Sequence, residues 1–295
     1  MAEQRIALVT GGTGFTGSNL IKRLIADDWQ VHAIVRAGSN FSLLETCLDQ
    51  ISLHIHDGST EKMVKIVALV KPDVVFHLAA LFLAQHAPED IVSLVKNNIT
   101  FSTQLAEAMA ENGVNRLVNT GTSWQHHQNS EYSPTCLYAA TKQAFEAILQ
   151  YYIDVKSFKI ITLKLFDSYG PDDPRPKLFS LLKKASTSAQ PLLMSPGEQL
   201  IDLVHIDDVV EAFIIAADRL LDGLADRHEK YAVSSGEPIS LQNLVSIYEQ
   251  ENAITLPVQW GGRAYRDREV MTPWNIGKSL PGWQAKIKLK NGLKR

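Results

Sequence analysis

Cysteine is scarce in this chain: two residues in 295, Cys47 and Cys136, with no CxxC spacing. That count excludes a disulfide framework and a thiolate zinc site, and it suits a reducing compartment. Lysine and arginine form no block, and the formal net charge is only −3. Wholesale nucleic-acid binding is therefore not expected, although a local anion pocket stays open. No apolar run approaches the roughly 20 residues of a membrane span. Met1-Ala2-Glu3-Gln4 leads straight into an apolar run and leaves no room for a signal peptide. The expected location is cytoplasmic, with no membrane partner. The histidine pairs His54/His56 and His126/His127 lack the carboxylates or cysteines that would complete a ligand set, so no metal is expected. Repeats, low-complexity tracts and flexible linkers are also missing. What remains has the composition of an ordinary globular protein, at a length that suits one large domain or two closely joined lobes.

Short apolar runs alternate with helical stretches along the chain. Strands are expected at Ile6 to Thr10, Gln30 to Val35, Ser52 to Ile55, Val74 to Leu78, Val114 to Asn119, Ile160 to Leu165 and Lys230 to Val233. Helices are expected at Ser18 to Ala26, Glu61 to Val70, Asp90 to Asn112, Tyr138 to Val155, Lys177 to Ala185, Val209 to Leu221 and Leu241 to Gln250. Between the first strand and the first helix stands Gly11-Gly12-Thr13-Gly14-Phe15-Thr16-Gly17. Glycines at 11, 14 and 17 let the backbone turn tightly, approach a pyrophosphate and pack helix on strand, with free N–H groups at the helix start. A glycine triplet alone is a weak signal, but its position here makes it a dinucleotide site.

The end of the second strand points to the form of the dinucleotide. An NAD site usually places a carboxylate there for the ribose 2′-hydroxyl. This chain has Arg36, with Ser39 and Asn40 close behind. An arginine pairs with a 2′-phosphate, so NADP(H) is favoured over NAD(H). Asp57 and Gly58, after the third strand, stand where the adenine edge would lie. After the fourth strand, Ala79 and Ala80 are small enough to admit a flat cofactor. The following loop, from Leu81 to Pro88, is a candidate pocket wall.

Further along, Asn119-Thr120-Gly121-Thr122-Ser123-Trp124 precedes Leu137-Tyr138-Ala139-Ala140-Thr141-Lys142. Tyr138 and Lys142 are four apart in a helical stretch, so both leave one face. A free tyrosine titrates near about 10. A neighbouring ammonium lowers that by roughly 1–3 units and makes Tyr138 a usable general acid/base. Thr122 and Ser123 offer hydroxyls to a reacting oxygen.

Together these residues resemble the extended short-chain dehydrogenases/reductases. The resemblance rests on the glycine loop, Asp57, His77-Leu78-Ala79-Ala80, Asn98, Thr122-Ser123 and Tyr138…Lys142. It continues through Leu165-Phe166-Asp167-Ser168-Tyr169-Gly170-Pro171, Asp202 to Asp208 and Leu280 to Trp283. It implies an α/β fold, a doubly wound parallel Rossmann sheet with a smaller C-terminal substrate-binding lobe. Residues 1–168 plus about 203–233 would form the cofactor domain, and 169–202 plus 234–295 the substrate lobe. The nucleotide-diphosphate-sugar branch looks most similar, and within it bacterial 4-keto-6-deoxysugar reductases.

The resemblance makes Thr122, Tyr138 and Lys142 the catalytic set, with Ser123 the alternative hydroxyl. Gly11, Thr13, Gly14, Phe15, Thr16, Gly17, Arg36, Ser39, Asp57, Gly58, Leu78, Ala79, Ala80, Asn98 and Leu165 join Tyr138 and Lys142 around the cofactor. Leu81, Thr122, Ser123, Asp167, Arg175, Arg263 and Arg266 face the substrate, a nucleotide sugar. Family dehydratases carry Thr-Asp-Glu where this chain has Thr122-Ser123-Trp124, so 4,6-dehydration is not expected. Two departures bear on the substrate. Asp167 replaces an asparagine, and Ile201 stands where relatives place a diphosphate-binding arginine, leaving Arg175, Arg263, Arg266 or Arg268 for that task. Ketoreduction is the favoured reaction. Sugar epimerisation, reduction of a small carbonyl and non-catalytic NADPH sensing stay open. Relatives pair the two helices at 90–112 and 138–155 across a two-fold axis. Leu105, Met109, Phe145, Ile148, Leu149 and Tyr152 are apolar beyond one core face, so a homodimer is expected.

Overall fold

The computed structural model describes residues 4–188 and 190–293. Met1 to Glu3, part of the run-in to the first strand, lie outside the described residues. In chain order the first half runs β1 (Ile6–Thr10), α1 (Phe15–Ala26), β2 (Gln30–Arg36), β3 (Ile51–His56), α2 (Thr60–Val70) and β4 (Val74–His77). Then come α3 (Ile91–Val95), α4 (Phe101–Glu111), β5 (Arg116–Thr122), α5 (Leu137–Lys156) and β6 (Lys159–Leu165). The second half adds β7 (Asp167–Tyr169), α6 (Leu178–Ala185), β8 (Leu192–Leu193), β9 (Leu200–Ile201), β10 (Leu203–His205) and α7 (Ile206–Leu221). It ends with β11 (His228–Val233), β12 (Ile239–Ser240), α8 (Leu241–Asn252), β13 (Val258–Gln259) and α9 (Leu289–Gly292).

Seven strands pair in the order β11-β6-β5-β4-β1-β2-β3, all parallel. Parallel strands need long crossovers, and the helices of those crossovers cover both faces. That is why the central strands read as unbroken apolar runs: every residue of β4 is buried. Leu20, Leu24 and Phe213 of α1 and α7 close one face over Val9 and Phe76. Met63, Leu105, Met109, Phe145 and Leu149 of α2, α4 and α5 close the other over Leu8 and Val75. Strand order reverses direction between β1 and β4, which opens a crevice at the carboxyl ends of the strands. The expected α/β doubly wound fold is present.

Beyond this sheet lie three two-stranded pairs: β7 with β10 parallel, β8 with β13 parallel and β9 with β12 antiparallel. A separate core of Leu182, Met194, Leu244 and Val245 fills the space between α6 and α8.

Three local expectations change. β5 runs to Thr122 rather than Asn119, so the hydroxyl at 122 sits on the strand end itself. The helix expected over Asp90 to Asn112 runs on but contains a π-helical segment, Lys96–Thr100, with helical backbone at both junctions. Asn98 sits inside that segment, and its side chain bonds Leu81 and Thr141 instead of pointing along a regular helix face. Leu105, Met109, Phe145, Leu149 and Tyr152 are monomer core, not a spare apolar face, and Ile148 packs partly against the same core. The exposed apolar residues of these helices are instead Ile91, Val92 and Val95 of α3 and Tyr151 and Val155 of α5.

Candidate active site

The crevice at the strand switch is a cleft of about 250 Å³. Its floor is the glycine loop and the start of α1, and its walls are the ends of β4, β5 and β6 and the start of α5. Gly11 has φ +73°, and a Cβ there would stand 2.6 Å from the backbone N of Ala79. A Cβ on Gly17 would collide with the Gly11 carbonyl. These two glycines let the loop fold onto itself and onto β4. Gly14 differs: its Cβ would meet only the Gly11 carbonyl oxygen, at 3.4 Å, and its open side faces the cleft. No side chain caps α1, and no acidic residue stands in its first turn. The first N–H groups of α1 are thus left for an anion at a positive helix end, and this cradle fits a dinucleotide pyrophosphate.

Phe15, Thr16, Leu78, Ala80 and Leu165 line the cleft with the glycines, and Thr13 is half-buried in the same loop. The Ala79 N–H donates to the Thr10 hydroxyl at 3.3 Å and so ties the end of β4 to β1. Arg36, Ser39, Asp57 and Gly58 gather at the ends of β2 and β3, where Arg36 pairs with His56 in register. The Ser39 hydroxyl accepts from the Arg36 N–H at 3.1 Å, which leaves the guanidinium itself exposed. Asp57 accepts from both the N–H and the hydroxyl of Ser59, which hold its carboxyl below the usual value. Asn98 is 1% exposed, and its side chain is engaged by Leu81 and Thr141, so it braces the loop at 81 against α5.

Tyr138, Thr122 and Ser123 meet in the cleft wall, all nearly buried. The Thr122 hydroxyl accepts from the Trp124 N–H at 3.3 Å, and its proton is free to turn toward the cleft. The ring of Phe82 stands edge-on to Tyr138 at 5.0 Å, and Trp124 stands 5.6 Å beyond Phe82. One correction concerns the phenol. Burial pushes the Tyr138 pKa up, helped by Cys136, where proximity to Lys142 led us to expect a fall. Lys142 is buried behind it, and burial lowers its pKa to about 8, partly offset by Glu146 and deepened by Lys164. In this dry wall burial disfavours the charged form of both groups.

Asp167 opens β7, with Lys177 Nζ 3.4 Å from its carboxylate. Arg175 chelates Asp173 at 2.7 Å and 2.7 Å, donates to the Ser168 carbonyl at 2.9 Å and lies 4.4 Å over the Phe15 ring. It therefore stands where the cofactor loop meets the second half of the chain. Arg266 chelates Glu269 at 2.9 Å and 2.6 Å and lies 5.4 Å over Trp124. It lines two further hollows, of about 320 Å³ and 100 Å³, which share Trp124 with the main cleft. Arg263 is exposed and lines none of the three, and Leu81, half-buried, is not among their lining residues either. Phe82 lines the cleft from the loop expected to wall it, while Trp124, Phe166 and Lys177 were missed as site residues. The only sequence signal for them was their place beside residues already chosen. Among the described residues no cluster of three or more His, Cys, Asp or Glu is placed to hold a metal ion.

A model of the NAD dependent epimerase/dehydratase family matches residues 7–230. The chain belongs to that family. It is an NAD(P)-dependent enzyme of the extended short-chain dehydrogenase/reductase type. It is 27% identical over 290 residues to the CDP-abequose synthase of Yersinia pseudotuberculosis, covering 96% of each chain. It is 26% identical over 306 residues to the UDP-glucose 4-epimerase of Mycolicibacterium smegmatis, covering 97% of this chain and 95% of that one. Among solved structures, the UDP-N-acetylglucosamine 4-epimerase of Methanobrevibacter ruminantium superposes with a TM-score of 0.83 at 21% identity, covering 99% of this chain and 98% of that one. The UDP-glucose 4-epimerase of Thermus thermophilus, complexed with NAD, gives 0.79 at 22%, covering 98% and 96%. These likenesses extend over the whole chain, and the structural ones establish the fold.

Proposed function

We propose that the protein reduces a keto group on a nucleotide-diphosphate-linked sugar, a 4-keto-6-deoxy sugar, using NADPH. The observation that carries this reading is a neutral, buried phenol beside two hydroxyls at the mouth of the dinucleotide cleft. The bound nicotinamide supplies the hydride. Tyr138 gives its proton to the carbonyl oxygen, and Thr122, or Ser123 beside it, donates a hydrogen bond to that oxygen as charge develops. Lys142 holds the nicotinamide ribose and stabilises the phenolate left behind. A group that keeps its proton until the substrate arrives suits a donor better than a base. Trp124, where dehydratases of the family place a carboxylate, offers no acid/base group for loss of water. Similarity to CDP-abequose synthase, a 4-keto-6-deoxysugar reductase, supports the same branch.

Arg36 at the end of β2 supports NADPH as the reductant, since no carboxylate stands there for a ribose hydroxyl pair. Residues 1–168 with about 203–233 act as the cofactor domain, and 169–202 with 234–295 as the substrate lobe. In that lobe Arg266, and Arg175 at the junction, donate to the diphosphate through the N–H groups that their bonds to Glu269 and Asp173 leave over. Arg263 then serves only at the rim.

Epimerisation is the second reading, favoured by the similarity to UDP-glucose 4-epimerases. The deciding test mixes purified protein and NADPH with CDP-, dTDP- and UDP-linked 4-keto-6-deoxy sugars, following absorbance at 340 nm. Stoichiometric oxidation of NADPH supports the reductase. No oxidation of NADPH with these keto sugars, together with interconversion of UDP-glucose and its 4-epimer by the same protein, rejects it in favour of the epimerase.

A further inference from the structure

Glu146 lies one helical turn beyond Lys142 on α5 and is 3% exposed. Its Oε1 accepts from Lys164 Nζ at 2.5 Å and from Gln125 Nε2 at 2.8 Å, and Lys230 Nζ lies 3.3 Å from Oε2. Gln125 is fully buried and also donates to Gln143 at 2.7 Å, while its Oε1 accepts the Thr122 backbone N–H at 2.9 Å. One carboxylate is thus joined through one amide to the strand end that presents the Thr122 hydroxyl. The strand is shaped to let this chain pass: a Cβ on Gly121 would stand 2.7 Å from Lys164 Cδ and 3.0 Å from Gln125 Oε1.

Stability alone is a poor account of the arrangement. A buried ion pair can usually be replaced by apolar residues of like volume with little loss, because desolvation cancels much of the attraction. An apolar replacement cannot supply negative potential beside Lys142, nor an acceptor chain to Thr122. The charged and titratable groups facing Glu146 are Lys142 on its own helix, Lys164 on β6, Lys230 and His228 on β11, and His126 after β5.

We propose that Glu146 is a positioning residue, setting the Thr122 strand end through Gln125 and favouring the charged form of Lys142 one helical turn away. The proposal rests on the reading of Tyr138, Lys142 and Thr122 as the reacting set. Burial pushes the Glu146 carboxyl up, but Lys164, Gln125 and Lys230 hold it below its usual value, so the anion is present at neutral pH. Of the two opposing influences on Lys142, that of Glu146 exceeds that of Lys164.

The test uses Glu146→Gln and the double variant Glu146→Met/Lys164→Met, which removes the pair as a unit and so guards against failure of the single variant to fold. NADPH binding is read by nicotinamide fluorescence from pH 6 to 10, with NADH in parallel, and kcat is read on the reduced sugar. Because binding needs no sugar, this readout does not depend on which substrate the enzyme takes. In wild type the affinity falls as pH rises through about 8, where Lys142 loses its proton. In Glu146→Gln the fall moves to lower pH by about 1 unit. In the double variant it moves less but in the same direction, at a melting temperature close to wild type. Both variants lose roughly tenfold or more in kcat as Thr122 loosens. Glu146→Asp restores the charge, and with it the wild-type pH dependence. A folded double variant with wild-type kcat and wild-type pH dependence of binding overturns the proposal.

Discussion

A buried phenol keeps its proton, and that makes Tyr138 testable by removing one atom. Tyr138→Phe keeps the ring that Phe82 packs against and should lower kcat by about 10²–10⁴ with NADPH binding retained. Full activity on the true substrate would reject Tyr138 as the donor. Thr122 and Ser123 are separable in the same assay: Thr122→Ala should cost roughly 10²-fold in kcat and Ser123→Ala far less. The reverse ranking would transfer the role to Ser123. Arg36 stands exposed at the end of β2, with no competing carboxylate in its register pair with His56. Arg36→Ala should weaken NADPH by roughly ten- to a hundredfold, the value of a charge-assisted phosphate contact, and leave NADH nearly unchanged. Equal wild-type affinities for the two would reject the NADPH assignment.

The glycine loop and the helix after it behave as one rigid piece. Gly17 faces the Gly11 carbonyl with no space for a methyl group, so Gly17→Ala must push α1 off β1. Loss of soluble folded protein, or a melting temperature lower by several degrees, is expected, with dinucleotide binding lost. Gly14→Ala, whose Cβ meets only one atom at 3.4 Å, should fold normally and lose affinity alone; circular dichroism and fluorescence titration distinguish the two. On the opposite face, α3 and α5 leave Val92 76% and Val155 57% exposed, near the two ends of the helix pair. We propose this outer helix face as the homodimer contact. Light scattering at micromolar concentration should give a dimer for wild type and a monomer for Val92→Glu/Val155→Glu; a monomeric wild type rejects the contact.

Seen across the molecule, several histidines are sealed in their neutral form. His77, fully buried between the Thr10 and Ser102 hydroxyls at 2.8 Å each, has its pKa pushed well below 6.5 by burial, with Lys142 adding to it. His228 is lowered by burial and Lys230 to about 4. The unfolded chain takes up these protons as pH falls through 6.5 and the folded chain does not, so stability is lost on acidification from that point. At pH 5 a histidine that stays neutral costs about 2 kcal/mol. Glu146, whose carboxyl is depressed, adds to the loss only below about 4.5. Urea unfolding at pH 7 and pH 5 should show this fall, and His77→Gln, which keeps hydrogen-bonding capacity without titrating, should reduce it. An equal fall in the variant would assign the effect to other groups. No described helix is long and apolar enough to cross a membrane.

The order of strands and helices was written locally. Continuous apolar runs mark strands covered on both faces, and the glycine loop between Thr10 and Ser18 can serve only a tight strand-to-helix turn. The four-residue interval from Tyr138 to Lys142 likewise set both side chains on one helix face. Spacing could not say what surrounds them. The upward shift of Tyr138 comes from burial by residues distant in sequence, Phe82 among them, and desolvation is a property of the assembled wall. The π segment at Lys96–Thr100 carries Asn98 to Leu81 and Thr141, partners far off in sequence that meet it only in the folded chain. The apolar residues of α4 and α5 announce that a surface is buried, not against what, and here it is the chain's own sheet. Gln125, Glu146 and Lys164 come from three separate elements and read singly as ordinary polar residues. Only when β5, α5 and β6 lie side by side do their charges and amide meet beneath Thr122.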